Sequence, residues 1–311
     1  MEPKVGFIGL GQMGKPMAIN VLKAGFKLIA YDLKKESLEE LTVNGGLIAA
    51  SPKEVALHAD WIVLSLPNTE AAKAVIFEPD GIISGIHDGL VIIDCGTTDF
   101  HVTREIANIL KERRIDFIDA PVSGMRSRAI EGTLTIMVGG EEGVFKRIEK
   151  VLAAFGSKII YMGQSGSGQL AKLANQLLFN INTAAFAEVL PMAVKMGLDP
   201  EKVCQVIQTG TGRSFASEFF APLILENNFG PGYQLANAYK DMISAFEISS
   251  RNKIPLPIVA AATLTYQLAL ADGLGNENKG AMIKVWEKVI GVKVRKKEMS
   301  DTINERSERK T

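Results

Sequence analysis

Three polar side chains on one predicted helix are the first candidates for chemistry. Lys172, Asn175 and Gln176 lie in the mainly apolar stretch from Gln169 to Met196. Spacings of three and four residues place them on one helical face. Polar groups on an apolar helix are costly to bury unless they have partners, so this face indicates contact with a ligand or a polar network.

Lys172 is a candidate acid–base group. Burial disfavours the charged form of lysine, so a buried amine can release and regain a proton near neutral pH. The alternative is a surface lysine on an exposed edge of the helix. A second segment favours the first interpretation, because Ser123 and Gly124 follow a predicted strand. There they would offer a hydroxyl and backbone amides where doubly wound sheets bind ligands.

A glycine-rich turn near the start of the chain predicts a phosphate site. Gly9, Gly11 and Gly14 form G-x-G-x-x-G with Gln12 and Met13 between the last two, after an apolar run and before a helical pattern. The three glycines permit a tight turn, close approach of backbone to a pyrophosphate, and close packing of helix on strand. Amides at the helix N-terminus would face the phosphate charge. The alternative is a turn with a purely structural purpose.

Asp32 ends the next apolar run and supports a dinucleotide as the ligand. A carboxylate at this place would bind the ribose hydroxyls of NAD and repel the extra phosphate of NADP. Lys34 and Lys35 follow and would partly offset that repulsion. We therefore expect NAD as the cofactor, with NADP less favoured.

The elements that must position these residues follow an alternating pattern. Short apolar runs alternate with helical patterns, which predicts an α/β fold with a doubly wound, mostly parallel Rossmann sheet. The predicted strands are 5–9, 27–31, 61–66, 91–94, 117–120, 133–138 and 159–162. The helical patterns between them include 13–24, 102–113 and 142–155.

After about Gly168 the strands stop, and an all-α domain is expected. The stretch 169–196 is apolar almost all round, which predicts a helix buried on most sides and kinked at Pro191. Further helices are predicted at 200–208, 237–251, 256–272 and 279–290. We predict an NAD-binding domain over 1–163 and a helical substrate and oligomerisation domain over 164–297. A charged, disordered tail is predicted over 298–311.

Composition excludes several other classes of protein. Thirty-five basic residues balance 35 acidic ones, so neither a nucleic-acid surface nor a basic membrane patch is expected. We find no secretory signal, and no apolar stretch of the roughly 20 residues that span a bilayer. Only Cys95 and Cys204 are present, and the three histidines lack paired metal-ligand spacing, so we expect a cytoplasmic protein without a metal.

The order of several motifs resembles the β-hydroxyacid dehydrogenase family. These are GLGQMG, DAPVSG, GTLTIMVGG, GSGQLAKLANQ and AYKDM, and the resemblance covers nearly the whole chain, from Lys4 to about Val292. The family includes tartronate semialdehyde reductase and the dehydrogenases of 3-hydroxyisobutyrate and of 2-(hydroxymethyl)glutarate. The stretch 282–287 is most similar to the latter.

The resemblance implies roles for individual residues. Lys172 matches the general acid–base, and Ser123-Gly124 matches the anchor of the substrate carboxylate. Thr97 matches a residue near nicotinamide and substrate, and Leu66-Pro67 a loop that lines the cofactor. Lys240-Asp241 matches a pair that closes over the nicotinamide end. Relatives also form dimers and tetramers.

Three positions depart from the family pattern. Met125 stands where relatives usually have a further glycine, Gln176 where many have a second asparagine, and Tyr233 where relatives usually have phenylalanine. Arg126 and Arg128 follow Met125 and would either meet a second anionic group of the substrate or lie on a solvated loop.

These observations predict a function and leave two alternatives. We expect reversible, NAD-dependent oxidation of a small, anionic β-hydroxyacid to its semialdehyde or keto acid, with Asn175 or Gln176 positioning the substrate in an interdomain cleft. One alternative is reduction of a sulfonated aldehyde such as 3-sulfolactaldehyde, with Arg126 at the anion. The other is a non-catalytic nucleotide-sensing or chromatin-associated module, which retention of Lys172 disfavours.

Overall fold

The computed structural model describes residues 3–230 and 232–296. The chain forms two compact units, and the division between them falls after Lys172, inside a long helix. The tail predicted over 298–311 lies outside the described residues, as do Met1 and Glu2.

The first unit is built on one nine-stranded sheet. Six strands form its parallel part in the order β3-β2-β1-β4-β5-β6, and β8 then pairs antiparallel with β6 and β7 and parallel with β9. The strands are β1 (Val5–Ile8), β2 (Leu28–Tyr31), β3 (Leu47–Ile48), β4 (Trp61–Leu64), β5 (Val91–Asp94), β6 (Asp116–Asp119), β7 (Val122–Ser123), β8 (Leu134–Gly139) and β9 (Gly156–Gly163). The predicted doubly wound sheet is confirmed.

The sheet is covered on both faces, which explains its uninterrupted apolar strands. Successive residues of a strand point to opposite faces, so Phe7 joins one hydrophobic cluster and Ile8 the other. The helices of this unit are α1 (Gly14–Lys23), α2 (Glu36–Val43), α3 (Pro52–His58), α4 (Thr69–Phe77), α5 (Phe100–Glu112), α6 (Met125–Glu131) and α7 (Glu142–Ala153).

The strand order fixes where ligands can approach the sheet. β1 lies between β2 and β4. From β1 the chain continues to β2 and β3 on one side, and it then crosses to β4 on the other side of β1. Such a switch point opens a crevice at the carboxyl ends of the parallel strands. The glycine turn follows β1 directly, so it lies at this crevice.

The second unit is helical over its described residues, as predicted. Its core gathers Leu190, Phe220, Met242 and Tyr266 from four helices. The helices are α8 (Ser167–Lys195), which begins in the first unit, α9 (Pro200–Thr209), α10 (Phe215–Leu225), α11 (Leu235–Asn252), α12 (Pro257–Ala271) and α13 (Ile283–Ile290). The helix predicted over 279–290 is in fact a 3-10 turn, Lys279–Met282, followed by α13.

Helix α8 departs from the expectation that it is buried on most sides. Its exposed stripe contains large apolar residues, including Leu178 (64% exposed), Val189 and Met192 (54% exposed). By length and composition α8 is also long enough to cross a membrane, contrary to the sequence prediction; core helices pass the same test. Asn180 and Thr183 of α8 are buried, and their side chains donate hydrogen bonds to the carbonyl oxygens of Ala238 and Phe179.

Candidate functional site

The glycine turn has the geometry of a dinucleotide cradle. Gly9 has a φ of +93°, which side chains rarely adopt, and a Cβ at Gly14 would lie 2.0 Å from the carbonyl oxygen of Gly9. Both glycines are therefore required by the fold itself. A Cβ at Gly11 would meet no protein atom within 4 Å, so the fold does not require that glycine. An open cradle at Gly11 is what close approach of a pyrophosphate needs.

The residues beside the cradle also suit phosphate. Helix α1 has no acidic side chain in its first turn and no side-chain cap at Met13. Its N-terminal amides are therefore left for an anion. Gln12 is exposed and Met13 half-buried at the same turn.

Asp32 lies directly after β2 and reaches the glycine turn. Its Oδ2 accepts a hydrogen bond from the backbone N–H of Leu10 at 2.6 Å, and its Oδ1 accepts one from the N–H of Lys34 at 2.7 Å. These two bonds fix the carboxylate next to the cradle, where the ribose of a bound dinucleotide would lie. Lys34 and Lys35 are exposed.

Two buried carboxylates end the neighbouring strands. Asp94, at the end of β5, accepts hydrogen bonds from the N–H of Gly96 at 2.9 Å and the hydroxyl of Thr98 at 2.6 Å. Burial raises its pKa to about 6, against the opposing effect of these two bonds. Asp119, at the end of β6, also has its pKa raised by burial.

Asp119 holds the start of α8. Its Oδ1 accepts a hydrogen bond from the N–H of Gly166 at 2.7 Å, and its Oδ2 accepts one from the N–H of Gln169 at 3.0 Å. A Cβ at Gly139 or Gly168 would lie less than 3 Å from these oxygens, so both must be glycine. The side chain of Gln169 in turn donates to the carbonyl oxygen of Gly96 at 2.9 Å.

Lys172 is buried one turn further along α8. It is 8% exposed, and its Nζ donates a hydrogen bond to the carbonyl oxygen of Val122 at 2.8 Å. The interpretation of Lys172 as an exposed surface lysine is therefore wrong. Because Val122 immediately precedes Ser123, the amine lies beside the predicted carboxylate anchor.

The segment after Val122 is conformationally unusual. Gly124 has a φ of +144°, and Met125 has a φ of +62° although it carries a side chain. A bulky residue in this left-handed region costs about 1 kcal/mol. Ser123 is half-buried, whereas Arg126 and Arg128 are exposed on the short helix α6.

The other predicted site residues have diverse environments. Thr97 and Pro67 are exposed at the ends of β5 and β4, and Leu66 is half-buried. In the second unit, Asn175 and Lys240 are exposed, whereas Gln176 and Asp241 are buried. Gln176 Nε2 lies 3.4 Å from Asp241 Oδ2, to which the Tyr233 hydroxyl donates at 2.8 Å.

Sequence reasoning did not assign roles to Asp94, Thr98, Asp119 and Gln169. Asp94 and Asp119 each end an apolar run and precede glycine or proline, a turn signal that could have marked them. The partners of Asp119, Gly166 and Gln169 at the start of α8, are 47 and 50 positions away in the sequence, so no local pattern predicts those contacts. Among the described residues, no group of three or more His, Cys, Asp or Glu side chains could hold a metal ion.

The fold and the glycine turn together define a dinucleotide-dependent oxidoreductase with a helical second unit. Comparison with family models agrees with this class. The NAD binding domain of 6-phosphogluconate dehydrogenase matches residues 4–163, and the NAD-binding domain of NADP-dependent 3-hydroxyisobutyrate dehydrogenase matches residues 166–286.

Individual relatives specify the family. The chain is 40% identical to 2-(hydroxymethyl)glutarate dehydrogenase of Eubacterium barkeri, covering 94% of this chain and 97% of the relative. It is 34% identical to the mitochondrial 3-hydroxyisobutyrate dehydrogenase of mouse, covering 88% and 84%. The crystal structure of 3-hydroxyisobutyrate dehydrogenase from Salmonella typhimurium matches with a TM-score of 0.84 at 28% identity, covering 91% and 100%. The chain belongs to the β-hydroxyacid dehydrogenase family and is an NAD(P)-dependent enzyme that acts on a CH–OH group.

Proposed function

We propose that the chain catalyses reversible oxidation of a small β-hydroxyacid of the 2-(hydroxymethyl)glutarate or 3-hydroxyisobutyrate type to its semialdehyde. Relatives named for these two substrates support this class. A further relative, the 3-hydroxyisobutyrate dehydrogenase of Mycobacterium tuberculosis, has a structure described with L-serine, itself a β-hydroxyacid. It matches with a TM-score of 0.82 at 28% identity, over 92% of this chain and 99% of that one.

The contact between Lys172 and the peptide before Ser123 carries this proposal. The Lys172 amine donates to the carbonyl oxygen of Val122, the residue before Ser123, so it lies next to the segment proposed to anchor the carboxylate. Ser123 and Gly124 would bind the substrate carboxylate through the hydroxyl and the backbone amides. The hydroxyl carbon of the same substrate would then be held near the amine, as proximity catalysis requires.

The proton follows one path in each direction. In oxidation, neutral Lys172 accepts the proton of the substrate hydroxyl as the hydride leaves the carbon. In reduction, protonated Lys172 donates a hydrogen bond to the carbonyl oxygen and then transfers the proton to it. NAD, when bound at Gly9, Gly11, Gly14 and Asp32, supplies the hydride acceptor. Thr97, Leu66, Pro67 and Lys240 would line the cofactor, with Thr97 and Asn175 also next to the substrate.

We also propose which functions belong to the two domains of the chain. We assign cofactor binding and the carboxylate anchor Ser123-Gly124 to the domain over 1–163. The acid–base residue, the further substrate contacts and oligomerisation belong to the domain over 164–297. The buried thiols Cys95 and Cys204 suit a reducing compartment, which supports a cytoplasmic location.

We further propose that the chain forms homo-oligomers through its helical unit. The exposed stripe of α8 is accompanied by one on α12, with Ile258, Leu264 and Leu268 exposed. Apolar stripes on neighbouring helical elements are typical of interfaces between copies. Light scattering should give a multiple of the chain mass for the parent and a smaller mass for Leu178→Glu. Val43→Glu, at an exposed apolar site of the first unit, is the control.

A substrate panel tests the enzymatic proposal. Purified chain is assayed with NAD and with NADP against 2-(hydroxymethyl)glutarate, 3-hydroxyisobutyrate, serine and a sulfonated analogue. We expect NAD-linked turnover of at least one β-hydroxycarboxylate. A clear preference for the sulfonate would replace the proposed substrate class, and tight NAD binding without any turnover would refute an enzymatic function.

A further inference from the structure

Two side chains of the helical unit converge on one buried carboxylate oxygen. The Tyr233 hydroxyl donates to Asp241 Oδ2 at 2.8 Å, and Gln176 Nε2 lies 3.4 Å from the same atom. Gln176 and Asp241 are each 8% exposed. Burial first, and then the neighbouring Asp241, raise the pKa of Tyr233, so the phenol stays protonated and remains a donor.

The two donors lie far apart in the sequence and reach the same atom. Tyr233 precedes α11, which carries Asp241, whereas Gln176 lies on α8. Tyr233→Phe removes the hydroxyl, and Gln176→Asn shortens the side chain that carries the amide by one methylene group.

We propose that Tyr233 and Gln176 form a coupled positioning pair that fixes the carboxylate of Asp241. This inference rests on the proposed function, in which the Lys240-Asp241 segment lies at the nicotinamide end of the site. The 2.8 Å bond from Tyr233 restricts rotation of the carboxylate, and the longer contact of the Gln176 amide, at 3.4 Å, adds a weaker restraint at the same oxygen. In this role the Gln176 amide bonds to Asp241 and does not contact the substrate. Of Asn175 and Gln176, only Asn175 then contacts the substrate.

The surroundings of Tyr233 make the pair testable by a conservative substitution. Lys279 is fully buried, and its Nζ lies 4.9 Å from the centre of the Tyr233 ring and 3.3 Å from that of Phe179. Tyr233→Phe keeps an aromatic ring beside this cation, since phenylalanine also supports a cation–π contact. The substitution therefore removes the donor while retaining the packing.

The experiment is a double-mutant cycle in the full-length enzyme. Tyr233→Phe, Gln176→Asn and the double variant are compared with the parent in kcat, KM and thermal unfolding, using the best acid of the panel. We expect each single change to lower kcat about tenfold, with the KM for NAD changed less than threefold. The double variant should retain about tenfold more kcat than the product of the two single effects, because each donor loses value without the other.

A matched control is available on α11. Tyr239 accepts a hydrogen bond from the exposed Gln267 at 3.2 Å. Tyr239→Phe removes a phenol hydroxyl from the same unit and should leave kcat and KM unchanged. A similar loss of kcat in this variant would overturn the special role of Tyr233.

Other outcomes also decide the matter. Multiplicative effects on kcat would overturn the coupling, and reduced thermal stability with unchanged kcat would make the bond structural only. A raised substrate KM at constant kcat in Gln176→Asn would make Gln176 a substrate ligand instead. If the parent is inactive with every acid and both cofactors, the proposed function is refuted, and the role of the pair with it. If the parent is active and the effects of the two changes on kcat are multiplicative, the pair alone is refuted.

Discussion

The Asp119 carboxylate accepts a hydrogen bond from the backbone N–H of Gln169 at 3.0 Å, and so attaches the first turn of α8 to the end of β6. Lys172 follows three residues later on the same helix. Its amine bonds to Val122, which lies just beyond β6 on the other side of this attachment. A buried carboxylate therefore helps to set the position of the acid–base candidate.

Replacing Asp119 should impair turnover more than cofactor binding. In Asp119→Ala the buried N–H groups of Gly166 and Gln169 lose their acceptor, which costs about 1–3 kcal/mol of stability for each. We expect kcat to fall about 10- to 100-fold, because Lys172 loses its fixed position. Steady-state kinetics and NAD titration check this. Asp116→Ala, at the start of β6 where Asp116 pairs with Arg147, is the control.

Removing the Lys172 amine should stop proton transfer. Lys172→Met is expected to lower kcat by about 10²–10⁴ and to leave NAD affinity nearly unchanged, because general acid–base catalysis typically contributes this much. The measurement is NADH formation together with fluorescence titration of NADH. Lys158→Met removes an exposed lysine and should have no effect. Turnover near that of the parent in Lys172→Met would remove the proposed mechanism.

Alanine substitution at two glycines of the same turn should affect different properties: fold stability at Gly14 and NAD binding at Gly11. Gly14→Ala places a Cβ 2.0 Å from the Gly9 carbonyl oxygen and should destabilise the fold by about 1–3 kcal/mol or more. Gly11→Ala meets no protein atom and should leave thermal stability unchanged while weakening NAD binding at least about tenfold. Equal affinity of Gly11→Ala and the parent for NAD would contradict the assignment of the cradle.

Asp32 should set the preference between cofactors. Asp32→Asn retains an amide oxygen as acceptor for the Leu10 N–H and removes the charge that would repel the extra phosphate of NADP. We expect the ratio of kcat/KM for NADP over NAD to rise about tenfold or more. An unchanged ratio would mean that the ribose of the cofactor lies elsewhere.

Asp94 should make stability depend on pH. Burial raises its pKa from 3.8 to about 6, so between these values the folded chain keeps a proton that the unfolded chain releases. Its contribution to stability is present below about pH 4 and is lost as the pH rises through 6. The free energy of unfolding of Asp94→Asn minus that of the parent should therefore rise by up to about 3 kcal/mol from pH 4 to 7. Denaturant unfolding at several pH values measures it; a constant difference would contradict this.

The sequence predicted the layout of the first unit because its strands are buried on both faces and leave long apolar runs. It missed β3, whose two residues are too few to form a pattern. It also missed the contacts of Asp119, since hydrogen bonds to residues 47 and 50 positions away have no local signature. The exposure of α8 was misjudged because an apolar residue on a surface stripe looks the same in sequence as one in a core.

The backbone conformation of Met125 determines how the fold responds to glycine at this position. Its φ of +62° is a conformation that glycine adopts without strain, so exchange for glycine relieves about 1 kcal/mol of strain, less the entropy that glycine adds to the unfolded chain. Variants of the chain selected only for thermal stability should therefore tolerate glycine at position 125. If methionine were retained at position 125 under that selection, its side chain would have a role other than stability.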